Sequence, residues 1–358
     1  MLRSENKSTS PNSTSGVRVA TSQDLPAWQR FVDHMPAAGC MHHAGWFNVL
    51  RDAFWVTPYY FIATDGSGNI EGVLPTYHST SLFTGSYLSS LEDGVLAAHT
   101  NAMRAMLREA ELLRKRLRAR YLQIRSGPIS ENAPIVVPTV RTVIQTSQPS
   151  VSIWRAMKQS GRRGVRKGDH QEIEIEHDAD LSEIENFYRV YAEHMRDLGT
   201  PVIGLDAFCA IRRYLGPERL RLYLVKYRKR LIGGMLCVTN PNRWTDYYAA
   251  VRVSTDTAFA NYKLYWHVVC DACSHQVPLL DLGRSTPGSN VHVFKQRWGG
   301  YDVDVPYYFY PDPTFRTTDY GLQDLKRNPN LLRRVWSKLP LPLCNRLGPL
   351  FRKQLPFV

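Results

Sequence analysis

The sequence contains no run approaching the roughly 18 apolar residues that a membrane-spanning helix needs, which argues against an integral membrane protein. Its first residues, MLRSENKSTSPNSTSG, hold no apolar core of the signal-peptide type. Residues 1–16 are therefore expected to be a solvated, disordered lead-in, and the protein is expected to be cytoplasmic. Cysteine is sparse: Cys40, Cys209, Cys237, Cys270, Cys273 and Cys344 are scattered in no disulfide-scaffold pattern, so free thiols in a reducing compartment are expected. Acid is in short supply as well. Lys and Arg number 45 against 32 Asp and Glu, a formal net charge of +13. Such a balance favours polyanionic partners, whether nucleic acid, phosphorylated cosubstrates or an anionic membrane face.

What is present suffices for two cores: 43% of the 358 residues are hydrophobic, and the length suits two domains of about 150 residues each. PYYFIATDGSGNIEGVLPTYH reads as strand, glycine-rich turn and strand, a hairpin. LRLYLVKYRKRLIGGMLCVT repeats it, and both return strands carry I-x-G-x-L: Ile70, Gly72, Leu74, then Ile232, Gly234, Leu236. Each hairpin is followed by a helix-period segment, His99 to Arg120 and Ala258 to His275, and then by a strand, YLQIRSG and LLDLGRS. Leu122, Ile124, Arg125 and Ser126 echo Leu280, Leu282, Arg284 and Ser285, with one extra residue in the second copy. Hairpin, helix and strand thus occur twice, which predicts a tandem duplication: a first half over 17–150, a second over 151–325 that opens with a basic segment, and a basic amphipathic tail over 326–358.

Ligands gather at the carboxyl ends of strands in α/β sheets, so LLDLGRSTPGSNVHVFKQRWGG is a candidate site. It places Arg284, Ser285, Lys295 and Arg297 just beyond an apolar strand. Asp281, inside that strand, either points into a cleft, where burial would raise its pKa toward general-base use, or faces solvent. Tyr247 and Tyr248 end another central strand, where they meet substrate or serve as aromatic core. In WRAMKQSGRRGVRKG, the cations Arg155, Lys158, Arg162 and Arg166 share one face if the segment is a continuous helix, a phosphate-tracking stripe or simply a solvated face. Gly161 and Gly164 weaken that helix. His267, Cys270 and Cys273 lack a second Cys or His pair at metal spacing, so a packed helix is favoured over a zinc or redox site.

In GSNVHVFKQRWGG, FYRVYAEHMRDLGTPV and ANYKLYWHVVCDAC the chain resembles the FemAB-like group of the GNAT superfamily, and in particular members attached to exopolysaccharide and PEP-CTERM systems. The resemblance spans about Val17 to Tyr310. It implies an α/β fold of two tandem GNAT-like halves, each a mixed, mostly antiparallel sheet flanked by helices. The implied activity is transfer of an acyl or aminoacyl group from an activated donor to an amine of a cell-envelope precursor. The lysine at the Phe-Lys position, Lys295, would carry the charge-stabilising role; from its place directly after the strand, Arg284 either pairs with phosphate through its planar fork or holds the strand end as a buried structural residue, and Ser285 is at most a supporting contact. No metal or tightly bound cofactor is implied, and the donor would be acyl-CoA or an aminoacyl-tRNA. Where GNAT acetyltransferases carry a glycine-rich pyrophosphate loop, this chain reads VRVSTDTAF, without glycine and with Asp256, which disfavours an ordinary acetyl-CoA pose. The rival readings are a CoA-dependent N-acyltransferase for a small amine or amino sugar, and a basic adaptor that kept the fold without activity. The tail, with eight Lys or Arg, no acid and interleaved leucines, suits peripheral contact with an anionic leaflet at the inner membrane face. Packing onto the protein's own body is the alternative. The sequence leaves the oligomeric state open.

Overall fold

The computed structural model describes residues 16–82, 85–125, 129, 135–178, 181–311 and 329–354. The expected disorder of the lead-in falls almost wholly outside them. The first half contains strand β1 (Gly16–Val19), helices α1 (Leu25–His34) and α2 (Trp46–Asp52), strands β2 (Thr57–Thr64), β3 (Ile70–Ser81), β4 (Gly85–Ser90) and β5 (Leu96–Ala97), helix α3 (Thr100–Arg116), and strands β6 (Tyr121–Arg125) and β7 (Ile135–Gln145). The second holds helices α4 (Ser150–Ala156) and α5 (Gln159–Asp169), strand β8 (Ile173–Asp178), helices α6 (Ile184–Asp197) and α7 (Leu205–Leu215), and strands β9 (Leu220–Tyr227), β10 (Arg230–Asn240) and β11 (Arg243–Val251). Helix α8 (Ala260–Ser274), strand β12 (Leu279–Ser285), helix α9 (Asn290–Lys295) and strand β13 (Tyr301–Pro311) complete that half, and the tail forms α10 (Pro329–Ser337) and α11 (Leu341–Gln354).

Among the described residues, all strands join one 13-stranded mixed sheet in the order β1-β2-β3-β4-β6-β13-β7-β12-β11-β10-β9-β8, with β5 beside β3. Exchanging the strands of one half for those of the other leaves this order unchanged, as a tandem GNAT-like duplication requires. The halves also exchange strands. β7 lies antiparallel to β12 of the second half, and β13 returns to pair with both β6 and β7.

The repeat is one residue out of the register that I-x-G-x-L suggests. Leu74 packs with Phe61 and Met106 on the α3 side of the sheet, whereas Leu236 packs on the opposite side with the α6 and α7 core. The residue that shares a face with α8, as Leu74 does with α3, is Met235. The register breaks at equivalent places in the two hairpins, beside Gly72 opposite Ala63 and beside Gly233 opposite Val225, so Gly72 corresponds to Gly233 rather than Gly234, and a shift of one residue moves every side chain to the other face of a strand.

The basic segment is two helices, not one, because the backbone turns extended at Met157 and Lys158. The proposed stripe of Arg155, Lys158, Arg162 and Arg166 is therefore broken. The glycines of α5 serve close packing instead: a Cβ on Gly164 would collide with the Tyr262 ring, and one on Gly168 would meet the Phe259 carbonyl at 3.0 Å. The tail packs on the body, burying Trp336 and Cys344 and seating Gly348 against the Val202 backbone. Among the described residues no helix is long and apolar enough to cross a membrane.

Candidate active site

Strands β11 and β12 run parallel for three pairs, Arg243 with Leu279, Trp244 with Leu280 and Thr245 with Asp281, and then part. Two local devices shape the gap. On β11 the register against β10 jumps from Tyr248 opposite Leu236 to Asp246 opposite Cys237, so Tyr247 is an inserted bulge residue. Bulges re-aim neighbouring side chains, and Asp246, Tyr247 and Tyr248 all reach one cavity. On β12 Gly283 holds φ +74°, and an added Cβ would lie 3.0 Å from the Asp246 carbonyl oxygen. Both conformation and space call for glycine there. The resulting cavity of about 370 Å³ is walled by β11, β12 and α9, by Glu92 and Arg141 of the first half, and by Arg352 of α11.

Lys295 closes α9 and lines this cavity, and its segment is firmly held. Ser289 caps the helix by accepting the His292 N–H at 3.2 Å, and the His292 ring accepts the Gly288 N–H and meets Asp302 at 2.9 Å. Phe294 packs edge-on to Trp298, which stacks on Tyr265, pinning one side of the segment while Lys295 turns inward. Only 5% exposed, Lys295 donates from Nζ to the carbonyls of Gly283 at 3.0 Å and Arg284 at 3.1 Å. An ammonium has three N–H bonds, so one remains for a ligand. Burial lowers the lysine's pKa, while Asp246 and Asp281 work to keep it charged.

Two acids face it. Asp246 accepts from the Tyr265 hydroxyl at 2.6 Å, and burial pushes its pKa up to about 6 against the opposing pull of Lys295. Asp281 is buried and reaches the cavity rather than solvent. Its Oδ1 accepts the Gly283 N–H at 2.8 Å, and its Oδ2 lies 3.4 Å from Arg141 Nε. Burial raises its pKa as well, with Arg141 and Arg243 opposing. Behind it Asp93, at φ +71°, lies 2.5 Å from Arg141 and 3.3 Å from Arg243. Burial opposes ionisation there, but the two guanidiniums hold the Asp93 carboxyl far below the usual range.

Of the residues singled out from sequence, Lys295, Asp281, Tyr247, Tyr248 and Arg284 meet at this cavity. Tyr248 stacks on Phe208 and lies beside Tyr191, and burial pushes its hydroxyl up to about 12. Arg284 lies 2.7 Å from Glu92 Oε1 and donates to the Tyr307 hydroxyl at 2.5 Å. The remaining candidates are elsewhere. Ser285 is buried in the β12–β7 ladder, its hydroxyl without a hydrogen-bond partner among the described residues. Arg162 folds back onto the carbonyls of Trp154, Arg155 and Met157, capping α4, and Arg166 lies over the Trp154 ring. Arg297 bonds to the Tyr262 hydroxyl and lies over its ring. Each of these cations is occupied by local structure.

Sequence reasoning passed over Asp246, Glu92, Arg141 and Arg352. Asp246 had a signal, an acid inside the apolar strand WTDYYAA just as Asp281 is in LLDLG. The other three arrive from distant segments and had none.

The first half has the same parting strands but a closed gap. β4 and β6 pair in parallel up to Ser89 with Gln123, which correspond to Thr245 and Asp281. Ser90, at the position of Asp246, instead accepts the Arg125 N–H at 2.8 Å and ties the strands together. The space beside them is only about 40 Å³. Among the described residues, the second-half gap alone offers room for a substrate.

At the start of α8, where a pyrophosphate would sit on bare amides, the Phe259 N–H already donates to Gln171 Oε1 at 3.1 Å and α5 packs across the helix end.

The parted parallel strands, the bulge and the duplicated order define a tandem GNAT fold. Residues 155–296 match the family of acetyltransferase (GNAT) domains. Among solved structures, the chain is similar to FemX at 13% identity, with a TM-score of 0.63 over 83% of this chain and 97% of that one. It is also similar to the C-terminal domain of a putative lysylphosphatidylglycerol synthetase from Agrobacterium fabrum, at 9% identity and TM-score 0.58 over 86% and 97% of the two chains. A tandem GNAT protein from the clavulanic acid biosynthesis pathway aligns at 13% identity and TM-score 0.50 over 84% and 99%. At such identities the likeness establishes the fold. No curated protein sequence matches the chain. The domain match together with the fold supports an acyltransferase.

Proposed function

We propose that the protein transfers an acyl or aminoacyl group from an activated donor to an amine, in the cavity where β11 and β12 part. The carrying observation is the juxtaposition, in one cavity, of a buried ammonium, Lys295, with an acid of raised pKa, Asp246. The amine nitrogen attacks the donor carbonyl, and the remaining N–H of Lys295 stabilises the charge developing on oxygen, an effect worth about a hundred- to a thousandfold in rate. Asp246 takes the proton released as the C–N bond forms and returns it to the departing donor oxygen or sulfur, so an amide and a free alcohol or thiol result. Asp281 holds the Gly283 turn, and with it the carbonyl that orients Lys295. Arg284 and Arg352 provide cations for a phosphate of donor or acceptor.

The occupied amide at the start of α8 and the lack of a glycine loop favour an aminoacyl-tRNA over acyl-CoA as donor. The lysylphosphatidylglycerol synthetase domain, whose fold this chain shares, is named for joining an amino acid to a lipid, which favours an aminoacyl group as the one transferred, and the envelope-precursor amine as acceptor rests on the sequence resemblance. The PEP-CTERM or exopolysaccharide association rests on the sequence resemblance alone. Incubating the protein with charged tRNA or with acyl-CoA and a panel of amines, followed by mass spectrometry of the amines, tests the reading. Product from the tRNA donor supports it, and product from acyl-CoA alone reverses the choice of donor.

A further inference from the structure

We propose that the face carried by α10 and α11 docks on the surface of an anionic lipid bilayer. Large apolar side chains from three separate segments converge there. Trp55, 49% exposed and held at a left-handed φ of 51°, shares a shallow cleft with Pro349 and Lys353 of α11. Leu82, 87% exposed, is tied to the end of α11 by its N–H, which donates to Gln354 Oε1 at 2.8 Å. Leu343 and Leu350, two turns apart on the outer side of α11, are exposed with Phe351, while Cys344 and Gly348 on the inner side meet the body. Exposed apolar side chains gathered in one place mark an interaction surface rather than ordinary scatter.

The charge of the same face selects its partner. Arg333, Arg334, Lys338 and Arg346 are exposed along the two helices, and residues 326–358 contain no acid. A second copy would bring like charges together. A nucleic acid would be met by the cations but gains nothing from aliphatic leucines. An anionic leaflet answers both features: headgroups attract the cations, and the leucines, phenylalanine and tryptophan enter the boundary region where such side chains anchor. The cavity adjoins this face, because Phe54, Ile203 and Arg352 line both it and the Trp55 cleft. An acceptor borne on a lipid would thus meet the cavity beside the membrane, a consequence that rests on the transferase reading, whereas the docking itself does not.

Flotation of the full chain with vesicles of phosphatidylglycerol and phosphatidylcholine, and with phosphatidylcholine alone, tests the docking without any donor or acceptor. The wild type is expected to float with the anionic vesicles, at least tenfold more strongly than with neutral ones, and less as salt rises. Lys338→Glu with Arg346→Glu, and separately Leu343→Ser with Leu350→Ser, are each expected to lower binding at least tenfold while the melting temperature stays near the wild-type value. These side chains are solvent-exposed and outside the cavity, so loss of fold is not expected. Absence of wild-type binding, equal binding to neutral vesicles, or an unchanged leucine variant would overturn the proposal. The last result, with charge reversal still effective, would assign the face to a soluble polyanion.

Discussion

Glu92 of the first half and Arg284 of the second lie 2.7 Å apart and close one wall of the same cavity. The site is therefore built across the duplication, as the exchanged strands β7 and β13 also require.

Neither half should fold alone. Cutting the chain between Gln145 and Ser150 leaves β7 without β12 and β13 without β6, exposing long unpaired strand edges. Fragments 1–148 and 149–358 are expected to be insoluble when expressed singly and to copurify when coexpressed. Two separately soluble, monomeric fragments with cooperative unfolding would contradict the shared sheet.

Asp246 sets a pH dependence. Its working form is the carboxylate, so kcat/KM should fall as pH drops through about 6, and Asp246→Asn should lower the rate at least a hundredfold and flatten that limb. Stability moves the other way. Because the folded pKa lies above the unfolded one, the folded chain binds the proton more tightly, and stability declines as pH rises from about 4 to about 6. Asp246→Asn should thus stabilise the protein above pH 6, by about 1 to 2 kcal/mol once screening in the open cavity is allowed for. Denaturant titrations at pH 5 and pH 8 read this difference.

The fold was largely legible in the sequence, for reasons that also explain the misses. Helix α3 could be read because Met106, Leu107, Ala110 and Leu113 recur at helical spacing and are all buried. The hairpins could be read because their turns are local. The I-x-G-x-L match fell out of register because two glycines, Gly233 and Gly234, are adjacent and the structurally equivalent residues of the second copy read L-x-G-x-M, which a pattern of identities passes over. Pairing of β13 with β6 joins residues about half the chain apart and leaves no local trace. At the site, Lys295 and Arg284 were legible from their motif and Asp281 from an acid set in an apolar strand. Glu92, Arg141 and Arg352 reach the cavity only through tertiary structure.

Gly283→Ala should be costly out of proportion to one methyl group. The left-handed backbone and the 3.0 Å approach to the Asp246 carbonyl predict a loss of about 1 to 3 kcal/mol. Transfer should fall further than stability, because the Gly283 carbonyl orients Lys295. Thermal melts alongside turnover will show whether both change.

Lys295→Met keeps the buried bulk while removing the ammonium. The Gly283 and Arg284 carbonyls lose a donor, at a cost of about 1 to 3 kcal/mol, and Asp246 loses its nearby cation, so its pKa should rise further. The acid limb of any remaining activity should shift to higher pH. Lys295→Arg should restore only part of the rate, because the planar fork differs in shape and reach.

Transfer from aminoacyl-tRNA and from acyl-CoA to an amine panel, measured in parallel for the wild type and for Asp246→Asn with Lys295→Met, tests the central claim most directly. The wild type is expected to yield an amine heavier by the acyl group, and the folded double variant to form it at least a hundredfold more slowly. Equal product from both proteins would show that the reaction occurs outside the gap between β11 and β12 and contradict the account.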